Sequence, residues 1–441
     1  MEPIILCNDP RDWPLTLRGR NGLPPVAGCR RKPDPLRLPH GSWQEVLEIE
    51  LKGTGCTAWL HTLQAHLALS VSGQEKLLLS ITPPGSELVY SAEVSEPVLT
   101  LLGNGLSDRA AGYQGIELTF LRRSRWCTPE QILPLQNPSG TSADWLTVYN
   151  HTDSSHAHWF EISAAETPGT DPAPLTLDLD AASFAPRTLH RIVLSGGSGI
   201  SALNATLEGE SASVGVHAGS LNVLSTAAAG AGQYLSISWQ NVNPAHLCSW
   251  ALTAAHLDLL RRCGGVQPVL KTFDALPANL RLHWRLTTPE GFILDESAPV
   301  TLVSGHWLHL LPPLSFPVES AAWNMDNATL QCWVQSPCDS PATLTIDFIQ
   351  LLPLDQFVLL EPLSGLTQTG ILTLRADPLQ VECTNRNTNV TTLSHLASGN
   401  GLYLQPGLNF CGFLLWENAD GAVANDMLKI RVKASPSYEV L

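Results

Sequence analysis

The sequence predicts a mainly-β protein of more than one domain, and three observations carry that expectation. Short runs of alternating apolar and polar residues recur along almost the whole chain, the period of a half-buried strand. The 33 glycines and 33 prolines fall largely between these runs, where turns belong. A single segment, "TAWLHTLQAHLALSVS" at 57–72, carries a clean helical stripe through Trp59, Leu60, Leu63, Leu67 and Val71. With 441 residues the chain can hold two to four domains.

In order along the chain, residues 1–43 are rich in Pro, Gly and Arg and lack periodicity. They predict an extended arm, either solvated or docked on an acidic neighbouring subunit. From Gln44 the segment "EVLEIELKG" sets Leu47, Ile49 and Leu51 on one side and Val46 and Glu48 on the other. The helix follows, with Thr57 as expected N-cap and Gly73 as stop. Then come the strand runs "EKLLLSIT", "LVYSAEVSEPVLTLL" and "YQGIELTFLRRSRW". Residues after Trp126 have the look of a linker.

From Trp145 to about Leu360 some ten short strands alternate with turn residues, the pattern of a sandwich or jelly roll. One helical insert is expected in "AHLCSWALTAAHLDLLRRCGG", with Leu247, Trp250, Leu252, Leu257 and Leu260 apolar and Arg261, Arg262 and Gly264 at its end. A last strand-rich unit begins near Ile371. It is small for an independent core and is expected to complete an earlier domain.

Composition narrows the function classes. Charged residues make up 15%, against about 25% in typical globular chains. The formal net charge of −15 argues against nucleic-acid binding and against docking on an anionic membrane. No segment reaches the roughly 18 apolar residues of a membrane span. The N-terminus "MEPIILCNDPRDWPL" lacks a secretory pattern, so maturation without export is expected. Without export the N-x-T triplets at Asn150, Asn204, Asn327 and Asn389 carry no glycosylation meaning. The ten cysteines are scattered without a C-x-x-C and predict small buried residues in a reducing compartment.

Catalytic signatures are missing. "SGGSGIS" has the wrong spacing for a nucleophile elbow, and there is no phosphate loop, H-E-x-x-H or Rossmann glycine triplet. His151, Asp153, His156 and His158 have metal-like spacing, but a polar loop is the plainer expectation, and neither a metal nor a cofactor is assigned. Asp178 and Asp180 alternate on one face of a strand. Such a pair can hold Ca2+ or work as acid and base on a glycoside, yet solvent-facing strand residues are the plainer expectation. No catalytic residue is assigned.

Binding candidates come from the polar faces of the late strands. In "LRLHWRL" Arg281, His283 and Arg285 oppose Leu280, Leu282, Trp284 and Leu286. In "TLQCWVQ" Leu330, Cys332 and Val334 form the apolar side, which leaves Trp333 beside Gln331 and Gln335. Asp347 falls on the polar face of "LTIDFIQ", away from the core. An exposed indole flanked by amides and charges suits sugar stacking. The plainer alternative packs Trp333 under a loop or against a partner and makes Asp347 a turn cap.

The first unit, from its opening strand through "TAWLHTLQAHLALSVS" to "YQGIELTFLRRSRW", resembles the tube-like domain of distal tail proteins from long-tailed bacteriophages and their prophage relatives. The middle, with "GHWLHLLPPLSFP" and "LTIDFIQLLPLDQF", resembles the jelly-roll, carbohydrate-module-like insertion of enlarged members. "GNGLYLQPGLNFCGFLLWENADGAVANDMLKIRVKA" is similar to their closing segment.

The resemblance implies an extended arm at 1–43, a tail-tube-like β domain with one helix over 44–130, a jelly-roll insertion over 142–362, and a segment 371–441 completing the first domain. It implies a non-enzymatic structural adaptor of the virion tail, made in the host cytoplasm. Copies would form a ring, commonly hexameric, at the distal end of the tail tube. They would meet tube and tail-tip proteins, and the jelly roll would contact host surface glycan. The alternatives are a stand-alone carbohydrate-binding protein, a glycoside-active enzyme, or a capsid or appendage protein.

Overall fold

The computed structural model describes residues 3–5, 15–18, 26–32, 35–39, 41–52, 56–71, 77–81, 88–103, 112–122, 125–136, 142–149, 158–166, 169–181, 189–201, 205–226, 229, 232–239, 243–272, 276, 279–303, 306–315, 327–335, 342–360, 370–376, 379–393, 397–418 and 427–438. The chain is mainly β and divides into two compact units. The first comprises 1–131, 168–171 and 435–441, and the second 132–167 and 172–434.

The first unit is built on a ten-stranded antiparallel sheet. Its centre is the pairing of Trp43–Lys52 with Tyr113–Arg122, extended on the far side of the latter by Tyr90–Leu102. The alternation in "EVLEIELK" puts Leu47, Ile49 and Leu51 into the core with Ile116, Leu118 and Phe120. Over them lies the expected helix, Cys56–Val71, contributing Cys56, Leu60, Leu63 and Leu67. Thr57 is inside its first turn and so does not cap it; Gly73 lies outside the described residues.

Among its described residues, the expected arm is largely sheet. Pro3–Ile5 and Leu15–Arg18 form a hairpin whose second strand pairs Leu77–Ile81, and Val26–Arg31 pairs Trp43–Lys52. Backbone ladders absorb this segment because the sheet offers it two free edges, which a periodicity argument does not register. Arg31 belongs to a buried cluster in which Glu45 accepts from Arg31 Nε at 2.9 Å and Arg122 Nε at 2.8 Å. Both guanidinium carbons stand 5.3 Å from the centre of the Trp126 ring.

The chain's end returns to this unit. Ser437–Tyr438 pairs with Trp126–Cys127, and Tyr438 packs edge-on against Tyr90 at 5.3 Å.

The second unit holds two cores. One is a sandwich. Its eight-stranded sheet carries Ala173–Asp180 between Gly370–Ala376 and Met427–Ala434, and its seven-stranded sheet carries Leu189–Ser198 between Phe357–Leu360 and Phe410–Asn418. Leu175, Leu177, Leu179, Leu372, Leu374, Ile430 and Val432 from the first sheet meet Phe160, Ile192, Leu194, Leu414 and Trp416 from the second. The seven-stranded sheet is apolar on its other face too, where Val193, Cys411, Phe413 and Leu415 enter the second core. That core is made by residues between 199 and 356, inserted between two neighbouring strands of the sheet.

This arrangement corrects the expected domain limits. Residues 370–434 belong to the second unit, because Leu428, Ile430 and Val432 find their apolar complement in the strand Ala173–Asp180 and its neighbours; only 435–441 joins the first. The expected helical insert is corrected as well. Ala245–Ala251 is a strand, and the helix is confined to Ala254–Arg262. Thr253 caps it, its side chain accepting from the His256 amide while the His256 ring accepts from the Thr253 amide. A capping residue at 253 forbids the helix from reaching back through 245–252.

Candidate functional site

Within the inserted part, a six-stranded sheet runs in the order Ser213–Val214, Ala245–Ala251, Thr329–Gln335, Arg281–Thr287, Ile293–Glu296, with Val300–Thr301 also on Arg281–Thr287. Leu330, Cys332 and Val334 are buried in the core, and Gln331, Trp333 and Gln335 lie on the other face, as the alternation requires. The register sets His283 opposite Trp333, Arg285 opposite Gln331 and Arg281 opposite Gln335. On the other flank His246 stands opposite Trp333. Six of the seven predicted residues are therefore on one face of neighbouring strands.

Trp333 is the centre of this cluster. The guanidinium carbon of Arg285 stands 4.0 Å from the ring centre. That is too close for an in-plane approach, so it covers a face. The His246 ring stacks at 5.0 Å and 16°. It comes from the strand on the opposite flank, so the indole is held between an arginine and a histidine. His283 lies at 6.1 Å and His217 meets the indole edge-on at 6.1 Å. The indole N–H donates to Gln331 Oε1 at 3.0 Å. Glu296 accepts from Arg285 Nε at 2.8 Å and is 3.4 Å from His283 Nε2.

Burial lowers the affinity of His246 and His283 for a proton. For His246 the neighbouring His217 and Arg285 add to the effect, and for His283 Arg285 does, while Glu296 opposes it. The cluster is thus an indole packed among three imidazoles and a guanidinium; Gln331 and Glu296 take the indole and guanidinium N–H groups, while His246 Nε2 and His283 Nδ1 are buried without a hydrogen-bond partner among the described residues.

Asp347 is not part of it. The expectation that it faces away from the core is corrected: it is fully buried, between the strands Ala342–Ile346 and Phe348–Pro353. Its carboxylate is 3.1 Å from Lys271 Nζ, and its backbone carbonyl accepts from Gly209 at 2.7 Å. The short 3-10 turn Gly209–Ser211 covers the side that alternation leaves open.

Asp178 also departs from expectation. It is 2% exposed and accepts from Thr373 at 2.9 Å and Arg431 at 2.6 Å, with Lys433 at 2.8 Å. Burial alone would raise its pKa, but Lys433, Arg431 and Thr373 outweigh that and hold the carboxyl below the usual range. Asp180 pairs with Arg386. Two carboxylates so engaged are structural ion pairs of the sandwich rather than a free acid–base pair. Of the metal-like cluster, His151, Asp153 and His156 lie outside the described residues. His158 is fully buried, stacks on Phe348 at 4.9 Å and is hydrogen-bonded to Gln350 at 2.5 Å. Among the described residues no group of three or more His, Cys, Asp or Glu could hold a metal ion, and no helix is long and apolar enough to cross a membrane.

Sequence reasoning missed His217, His246 and Glu296. The alternation of "AHLCSWA" was the available signal for His246, hidden by the apolar stripe that the same letters make at helical spacing.

No protein-family model matches the chain, and no curated protein matches it. Among solved structures it is similar to the Dit protein of phage SPP1, described as a paradigm of the hub adsorption apparatus in phages infecting Gram-positive hosts. That likeness has 7% identity, covers 98% of each chain and has a TM-score of 0.26. The baseplate of phage P2 in its activated conformation with Ca is similar at 8% identity, over 94% of this chain and 90% of that one, with a TM-score of 0.27. Infectious bursal disease virus, Gt strain, follows at 10% identity, 81% and 84% coverage and a TM-score of 0.18. Scores this far below 0.5 do not establish a shared fold.

Proposed function

We propose that the protein is a structural adaptor of a phage-like virion tail, assembling with copies of itself into a ring that joins the tail tube to tail-tip proteins. The observation that carries this reading is the organisation of the first unit. One sheet and one covering helix form a body that the chain leaves at residue 131, rejoins briefly at 168–171 and completes at 435–441, so a large β module is carried as an insertion. A body that carries such a module suits a scaffold that repeats around an axis. Six-fold rings are the form expected from the resemblance. The test is negative-stain imaging and light scattering of the purified chain over a concentration series. Ring-shaped particles that grow with concentration support the reading, and a strict monomer at high concentration removes it.

The Trp333 face favours a second role for the inserted module, contact with host surface glycan through Trp333, Gln331, Gln335, His283, Arg281 and Arg285. Its geometry adds a condition. A saccharide reaches an indole face only by displacing Arg285 or His246. Arg285→Ala should therefore tighten binding on a glycan array and Trp333→Ala should abolish it. Unchanged binding by a folded Trp333→Ala protein rules out the sugar role and leaves the adaptor role standing.

A further inference from the structure

Beneath the Trp333 face, on the core side of the same two strands, Cys248 stands directly opposite Cys332. Both are free thiols and both are fully buried. Directly opposed residues of an antiparallel pair have Cα atoms about 4.5–5.5 Å apart. A disulfide accepts Cα separations of about 4.4–6.8 Å. Their side chains leave the sheet on the same face, so closing a bond needs no shift of register. The other described cysteines, at 29, 56, 127, 263, 383 and 411, have no cysteine opposite them in the described pairings.

We propose that Cys248 and Cys332 form a redox site, a dithiol when the chain folds under reducing conditions and a disulfide once it meets a peroxide. One sulfur attacks the peroxide, an S–O bond forms, the O–O bond breaks and water leaves. The second sulfur then attacks the sulfenic sulfur, the S–S bond forms, the S–O bond breaks and a second water leaves. Two thiols and one hydrogen peroxide give one disulfide and two waters, the two electrons passing from sulfur to oxygen. The reaction is slow in the closed fold, since burial raises the Cys248 thiol well above its ordinary pKa and keeps thiolate scarce. It proceeds when the two-residue edge strand Ser213–Val214 parts from Ala245–Ala251. The bond would fasten together the strands that carry His246 and Trp333, fixing the stack above it.

The test is stoichiometric hydrogen peroxide on the reduced full-length chain, followed by intact mass and a non-reducing peptide map. The expected results are a mass loss of about 2 Da and a linked pair of peptides containing Cys248 and Cys332. The thermal midpoint should rise by about 5 °C and return with dithiothreitol, since the bond closes a long loop. Cys332→Ala should show none of these changes. A map linking other cysteines, or thiols that stay free in the folded protein, overturns the proposal; the wild-type map decides even where the variant does not fold.

Discussion

At the scale of single residues, burial and partners decide roles that residue type leaves open. Asp178 and Asp347 read alike in the sequence, acidic letters in alternating strands, and each is an internal charge with its own cation. Asp178→Asn should cost about 3 kcal/mol in urea unfolding at pH 7, because Arg431 and Lys433 lose their shared anion. The sign with pH follows from the lowered carboxyl. Its contribution is complete above the ordinary value of 3.8 and is lost as pH falls through the lower folded value. The gap between the wild type and Asp178→Asn should therefore close in acid; a gap that is constant down to pH 2 would refute the assignment. Gly412 is a residue-scale constraint of another kind. A Cβ there would clash with the tip of the Phe160 ring, at Cζ, so Gly412→Ala should destabilise the sandwich by about 1–3 kcal/mol.

At the scale of elements, strands decide which residues meet. His217, His246 and His283 converge on Trp333 only because three neighbouring segments bring them there. His246 and His283 have lowered pKa values, so the unfolded chain binds protons first as pH falls. The stability they leave intact above about pH 6.5 is lost progressively below it. His309, held down to about 4 by burial, acts in the same direction. Thermal midpoints should fall between pH 6.5 and 4.5, and His246→Gln should flatten that slope.

Glu417, on Phe410–Asn418, accepts from the backbone of Trp307 at 2.9 Å and of Leu308 and from His306 Nδ1 at 2.8 Å. Glu417→Ala strands a buried and a half-buried amide and should cost about 2–4 kcal/mol, read as lost hydrogen-exchange protection at 306–310.

At the scale of the whole molecule, the two units have separate interiors, and the chain's last residues finish the first. Truncation after Ala434 removes Ser437–Tyr438 from Trp126–Cys127 and from Tyr90. Hydrogen exchange should then accelerate at 90–95 and 126–128 and stay unchanged in the strands 173–180 and 427–434. Equal acceleration in both units would contradict the division. Excising 199–356 should leave the sandwich core intact but bare Val193, Phe413 and Leu415, so that the remnant aggregates.

Legible in the letters alone are the class of the fold, the positions of most strands, the helix at 56–71 and the face on which Trp333, His283 and Arg285 lie. Each of these depends on local periodicity, which a chain carries in its own letters. Only packing decides that 370–434 belongs with the sandwich, that the strands 3–5, 15–18 and 26–31 join a sheet, that Asp347 and Asp178 are buried, and that histidines close over the indole. These depend on which surface covers which. Two strands with equal alternation look the same until a second layer buries one polar face and leaves the other in water.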